Sequence, residues 1–253
     1  MKVCETARRN DATEATFQIS QLENPFAEGG FRWVAKGRYT IGHRAGQACV
    51  CKWFKSGAVY EETFFKLDIL AGNKALEIVE AWNRAKFINK FIQINVPEVW
   101  TFKPNSTGSW AGRKTLQEPF IQNYQKFNSN SGWSDDSMPW PRVMQALSHF
   151  SYHHSNGQLV LCDLQGGIYS ESVVLTDPVI LSTTKIYGVT DLGSKGISSF
   201  FANHQCNEFC RSHWSRPADQ TQYFRPQIGT SMMRSTAKHV PTRSSRPLHT
   251  FYE

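Results

Sequence analysis

The chain has 253 residues, 40% of them hydrophobic and 13% aromatic, which is enough to bury one substantial core or two small lobes. Its formal charge of +7 is uneven: residues 211–253 carry seven Lys or Arg against two acids, and the rest is nearly neutral. A basic tail of this kind argues for a solvated or partner-binding arm rather than a nucleic-acid reader, and no stretch approaches the run of about 18 apolar residues that a membrane span needs.

The opening residues, MKVCETARRNDATEATFQIS, hold no apolar run after their charges, so the expectation is a soluble, cytoplasmic protein. Residues 1–23 read as an irregular, loosely attached lead-in. NPFAEGGFRWVAKGRYTI reads as a glycine turn between strand-like segments, and ACVCKWF as the next strand. Residues 60–91 turn helical, with Ala75, Ile78, Val79, Trp82 and Ala85 on one stripe and Gly72 dividing the run into two helices. PEVWTF and TLQEPFI are strands. The Asn, Ser, Gly and Pro of residues 123–141 predict a linker between two lobes. PRVMQALSHFSYHHSNG is a helix that stops at Gly157, QLVLCDLQG a strand running into a polar loop, VVLTDPVIL a second strand, and GISSFFANHQCNEFCRSH a helix. Beyond Trp214 the Arg, Ser, Pro and Thr-rich sequence predicts an extended or disordered tail.

Three groups of residues carry chemistry. Alternation puts Lys52 on the face of its strand shared by Val50 and Phe54, with Cys49, Cys51 and Trp53 opposite. Lys52 is either an edge-strand lysine reaching water or a phosphate ligand, the latter because the turn Glu28, Gly29, Gly30 would let backbone N–H groups approach phosphate oxygens. Asp163 and Asp177 each end an apolar strand, and with Gln165 they offer the oxygen atoms for Mg²⁺ and for orienting an attacking hydroxyl; the plain alternative is that both only cap turns. With no secretory leader, six cysteines argue against disulfides. Cys49, Cys51 and Cys162 sit in apolar runs, whereas Cys206 and Cys210, four apart on one helix face, join His204 as metal-ligand types. A fourth ligand would come from His149, His153, His154 or His213.

In order along the chain, FAEGGFR, CVCKWF, QEPFIQNYQKFNSNSG, ALSHFSY, LCDLQGG, VLTDPVI, DLGSKGISSFF and HQCNEFC together resemble the alpha-kinases, a family of atypical protein kinases. The resemblance covers residues 24–217. It implies an α+β, two-lobed kinase fold with an N-lobe over about 24–122, a C-lobe over about 142–217 holding a structural zinc, and a basic tail over 218–253. It implies ATP and Mg²⁺ as cofactors and transfer of the ATP γ-phosphate to Ser or Thr of a protein substrate. Gly29, Gly30, Phe31, Arg32 and Trp33 match the phosphate-covering loop, Lys52 the nucleotide lysine, and Glu118, Pro119 and Phe120 the hinge that meets adenine. Asp163 matches the catalytic aspartate, Gln165 and Asp177 the magnesium and nucleotide contacts, and His149, His204, Cys206 and Cys210 the zinc ligands.

Asp191 stands where the family has Asn in its substrate-side loop, and GGIYSESVV lengthens the segment between Asp163 and Asp177. The competing readings are a catalytically weak pseudokinase serving as a nucleotide-binding scaffold and a zinc-stabilised basic module. The Ser and Thr of the tail (Thr230, Ser231, Ser235, Thr236, Thr242, Ser244, Ser245) are expected autophosphorylation targets.

Overall fold

The computed structural model describes residues 3–135 and 139–233. The first elements are β1 (Cys4–Asn10) and β2 (Thr13–Gln18), an antiparallel hairpin, followed by the single-turn α1 (Ile19–Glu23). This corrects the expectation of a loose lead-in. Ala7, Ala15 and Phe17 alternate inward and are fully buried, so the polar look of the segment hides a half-buried ribbon.

The hairpin is part of a larger sheet. The chain continues through β3 (Ala27–Glu28), β4 (Arg32–Ile41) and β5 (Ala48–Phe54), then a long helix α2 (Lys66–Ala85), β6 (Phe91–Ile94), β7 (Glu98–Phe102) and β8 (Lys114–Pro119). Seven of these strands form one sheet in the order β2-β1-β7-β8-β5-β4-β3, and an extra β2–β4 pairing curls it back on itself. β5 is therefore central, not an edge, with β4 on one side and β8 on the other. Its outward residues Cys49, Cys51 and Trp53 pack with Phe17, Tyr39, Trp100 and Phe102. Its other face, with Lys52, looks into a cleft.

α2 is one uninterrupted helix through Gly72. The glycine serves close packing rather than a break: a Cβ there would lie 3.3 Å from Val96 Cγ1 and 3.4 Å from Pro97 Cδ. Ala75, Ile78, Val79 and Trp82 are buried as the stripe predicts, while Ala85 at the helix end is exposed.

After β9 (Gln125–Lys126) come α3 (Pro139–His154), β10 (Leu159–Cys162), β11 (Gln165–Ile168), β12 (Ser172–Leu175), β13 (Val179–Ser182) and α4 (Gly193–Asn203). β10 pairs with β13, and a second sheet runs β6-β12-β11-β9, in which β12 lies parallel to β6. The segment read as one strand, VVLTDPVIL, is thus two strands in different sheets, broken at Asp177 with its φ of 48°. LCDLQGG likewise bends at Asp163 (φ 59°), and Gln165 opens a strand rather than a loop.

The expected linker at 123–141 is not an exposed spacer. Phe127, Asn128, Ser129, Asn130 and Ser131 are all buried, and their polar groups are used internally. Asn128 accepts from Leu164 N (2.9 Å) and donates to Ser148 Oγ (3.0 Å), tying the loop to α3 and to the bend at Asp163. Residues 218–233 of the expected disordered tail also lie against the body, while Ser235, Thr236, Thr242, Ser244 and Ser245 fall outside the described residues. None of the described helices is long and apolar enough to cross a membrane.

Candidate active site and metal centre

A cavity of about 890 Å³ opens between the curled sheet and the α3 side of the molecule. Its walls include Gly29, Gly30, Phe31, Arg32, Lys52, Glu118, Pro119, Phe120, Asp163, Gln165 and Asp177. Eleven of the twelve residues predicted for nucleotide and catalysis therefore meet in one place. Trp33 is the exception. Next to Arg32 on β4, it points to the opposite face and packs on the outer cluster with Trp53 and Trp110.

Lys52 is the charge centre of the cavity. Its Nζ lies 2.6 Å from Glu118 Oε1 and 2.6 Å from Asp177 Oδ2, and Thr176 Oγ1 is 3.4 Å away. Burial pulls the Lys52 pKa down, but Asp177 and Glu118 outweigh it and leave the pKa above its ordinary value, so the side chain is a permanent cation. Burial raises the Glu118 carboxyl, and Lys52 only partly offsets this. Thr176 donates its hydroxyl to the other Glu118 oxygen. The Glu118 carboxylate thus holds the lysine from within the cavity wall. Asp177 remains more than a third exposed to the cavity.

Asp163 sits at the bend after β10, 1% exposed, with Lys126 Nζ 2.9 Å from its Oδ1. Burial raises its pKa, against the opposing pull of Lys126 and of a Thr230 hydroxyl. A carboxylate in the left-handed region is sparsely populated backbone, and two such residues, Asp163 and Asp177, face one cavity. Gln165 lies between them, its Nε2 3.5 Å from Asp177 O. Lys126 and Thr176 were missed from the sequence. Neither sits in a pattern that marks it: Lys126 is one polar residue among several in QNYQKFNSN, and Thr176 only precedes Asp177.

The glycine turn is braced rather than floating. Gly29 N donates to Arg32 O at 2.8 Å, and Arg32 is nearly buried. Its guanidinium pairs with Asp68 of α2 at 2.7 Å and stacks 4.7 Å from the Phe31 ring and 4.8 Å from the Phe54 ring. Asp191 is also held internally: its carboxylate accepts from Ser182 N (2.8 Å), Ser182 Oγ (2.6 Å) and Gly193 N (3.0 Å), stapling its loop.

At the far end of α3, His149, His204, Cys206 and Cys210 bring one ligand atom each within 4.8 Å of one another. α4 stops at Asn203, so His204, Cys206 and Cys210 lie on a turn and not on the helix face their spacing suggested. The separations are 3.1 Å from His149 Nδ1 to His204 Nε2, 3.6 Å from His149 Nδ1 to Cys206 Sγ, and 3.7 Å from His204 Nε2 to Cys210 Sγ. His149 Nε2–H donates to Ser215 O at 3.0 Å, which leaves Nδ1 its lone pair. Burial pushes His149 down to about 4 and His204 to about 3, so both rings are neutral, as ligands must be. Of the other candidates, His153 and His213 meet edge to face, and His154 stacks on Phe150.

The alpha-kinase family model matches residues 27–210. The chain belongs to the alpha-kinase family. Among its relatives, the alpha-protein kinase vwkA of Dictyostelium discoideum is 32% identical over 78% of this chain and 31% of its own length. Myosin heavy chain kinase C of the same organism is 33% identical over 83% of this chain and 26% of its own length, so the chain spans about a third or less of these relatives. Among solved structures, an alpha kinase from Entamoeba histolytica superposes with a TM-score of 0.68 at 24% identity, covering 87% of this chain and 85% of that one. The alpha-kinase domain of myosin heavy chain kinase A, in complex with AMP, gives 0.65 at 21% identity over 82% and 96%. These likenesses establish the alpha-kinase fold.

Proposed function

We propose that the chain is an ATP-dependent protein kinase that transfers the γ-phosphate to Ser or Thr hydroxyls of a protein substrate. The observation that carries this is a buried, permanently charged Lys52, held between Glu118 and Asp177, facing Asp163 across one cavity roofed by the glycine turn. A pseudokinase scaffold would not need Asp163 and Lys126 kept as a buried ion pair beside that lysine. In this reading Lys52 draws off charge from phosphate oxygens, as Asp177 releases it on nucleotide binding, and the backbone N–H of Gly30, in a turn braced by the Gly29 N–H to Arg32 O bond, covers the phosphates. Asp163 orients the acceptor hydroxyl and takes its proton, while Lys126 keeps the carboxylate ionised and aimed. Gln165 and Asp177 would hold Mg²⁺, which supplies charge neutralisation on the phosphates. The relatives' names include myosin heavy chain kinases, so a myosin-tail segment is a sensible first acceptor.

With Mg-ATP, purified protein should label an acceptor on Ser or Thr, and Asp163→Ala should lower the rate about a thousandfold while ATP binding is retained, with a lower melting temperature because Lys126 loses its partner. Wild-type protein that binds ATP yet transfers no phosphate would return the chain to the scaffold reading.

We assign the His149, His204, Cys206, Cys210 cluster to structural zinc. Bond lengths near 2.05 Å to nitrogen and 2.3 Å to sulfur make tetrahedral edges of about 3.3 Å between nitrogens and about 3.6 Å between nitrogen and sulfur. The donor atoms already stand close to those edges, and four protein ligands leave no open position for catalysis. Elemental analysis of the folded protein should give one zinc per chain; none would remove the assignment.

A further inference from the structure

The chain beyond the metal cluster returns to the catalytic cavity. Thr221 O accepts from Ser198 Oγ (2.9 Å), and Tyr223 N and Phe224 N both donate to Ser199 Oγ (2.8 and 3.1 Å), fastening the segment along α4. Gln227 N then donates to Ser131 Oγ at 3.0 Å. At the next residues the backbone is gripped on two sides. Asn130 donates Nδ2–H to Ser231 O (2.8 Å) and accepts Ser231 N–H on Oδ1 (2.8 Å), and Met233 N donates to Val189 O (2.7 Å). Immediately before these grips Thr230 Oγ1 donates to Asp163 Oδ2 at 2.6 Å, and Ile228, Gly229 and Thr230 complete the cavity wall.

Two features separate this from incidental packing. Asn130 is fully buried, and its third hydrogen bond, to Thr190 O at 2.9 Å, fixes the amide so that it presents one donor and one acceptor outward. Such an amide reads the backbone of an extended segment and ignores its side chain. Second, the group delivered to Asp163 is a hydroxyl acting as donor, the pose a phosphate acceptor must adopt toward its base.

We propose that residues 227–233 are a tethered occupant of the protein-acceptor site, which an incoming substrate must displace, and that Asn130 is the positioning residue that grips either segment through the residue after its hydroxyl. This rests on the kinase reading above. Because the grip needs an N–H, a substrate with proline immediately after its acceptor is excluded, and so is one with proline three residues after it, where Val189 O accepts.

The test keeps the full chain. Ser231→Pro combined with Met233→Pro removes both N–H donors of the tail. The KM for an acceptor protein should fall about thirtyfold while the KM for ATP stays constant, as expected for two lost hydrogen bonds of roughly 1 kcal/mol each. In that variant a fluorescein-labelled peptide QIGTSMM should bind, read by anisotropy, and should compete with the acceptor protein. The same peptide carrying proline in place of its serine should not bind. Asn130→Ala, placed in the same variant, should abolish peptide binding with nucleotide binding retained. An unchanged acceptor KM, or a peptide that fails to bind, overturns the proposal. So does a loss of kcat and melting temperature with no change in KM, which marks the tail as structural. Phosphoryl transfer with no peptide binding sinks this inference alone; peptide binding with no transfer to any acceptor sinks the kinase reading and leaves the grip standing.

Discussion

Lys52 is 5% exposed, and its two carboxylate partners would be left facing each other without it. Breaking a buried charge cluster from one side costs more than the cluster itself contributes, because the remaining charge loses both water and partner. Lys52→Met is therefore expected to lower unfolding free energy by about 3 kcal/mol in urea titrations, and adding Glu118→Gln should recover a good part of it. The same substitution should cut kcat by about a hundredfold or more in a phosphate-transfer assay, and Glu118→Gln should not restore that. At this scale the sequence was informative wherever a residue's type and strand parity sufficed. Lys52, Asp163 and Asp177 could be placed from parity and strand ends alone, and parity misleads for Trp33 only if the loop match is preferred to the alternation. Lys126 and Asn130 could not be found, since each owes its role to a partner 37 and 101 positions away.

Among the elements, the buried loop at 127–131 shows how composition misleads. Asn, Ser and Gly are common in exposed turns because their side chains satisfy backbone groups, and the same capacity lets a loop be buried. Asn128 does this for Leu164 N and Ser148 Oγ. Asn128→Ala should cost about 2 kcal/mol of stability by thermal or chemical unfolding, since it strands a buried N–H next to Asp163. In β11 the lengthened segment between the two aspartates closes as a hairpin with β12, with Gly166 paired to Leu175. A Cβ on Gly166 would stand 1.9 Å from Val174 O. Gly166→Ala is thus expected to destabilise by about 3 kcal/mol or more and to lose acceptor phosphorylation, by moving Gln165. The long amphipathic helices were legible because their period survives in the residues themselves. β1 and β2 were not, because their inward positions are largely small or polar and give no hydrophobic alternation.

For the whole molecule, the His149, His204, Cys206, Cys210 cluster joins α3 to the turn after α4, and the tail starts directly behind it. Removing the zinc proposed for it with a strong chelator should lower the melting temperature by well over 10 °C, since structural zinc sites supply folding free energy on the order of 10 kcal/mol. Cys206→Ser with Cys210→Ser should reproduce that loss without chelator, whereas His213→Ala should not. Two lobes were expected from the family resemblance and from a composition-based linker at 123–141 that the structure buries, but the crossing of strands between sheets was not legible, because pairing partners are distant in sequence.

That crossing constrains how the protein is made. β6 sits at one edge of its sheet, and its partner β12 is drawn from residues about 80 positions further on. On a ribosome adding roughly 5–20 residues per second, Phe91–Ile94 emerges at least several seconds before Ser172–Leu175 exists to cover it. During that interval a nascent chain exposes an unpaired apolar strand, the template on which like chains associate. Demand for a chaperone should accordingly peak in the interval between the emergence of β6 and that of β12.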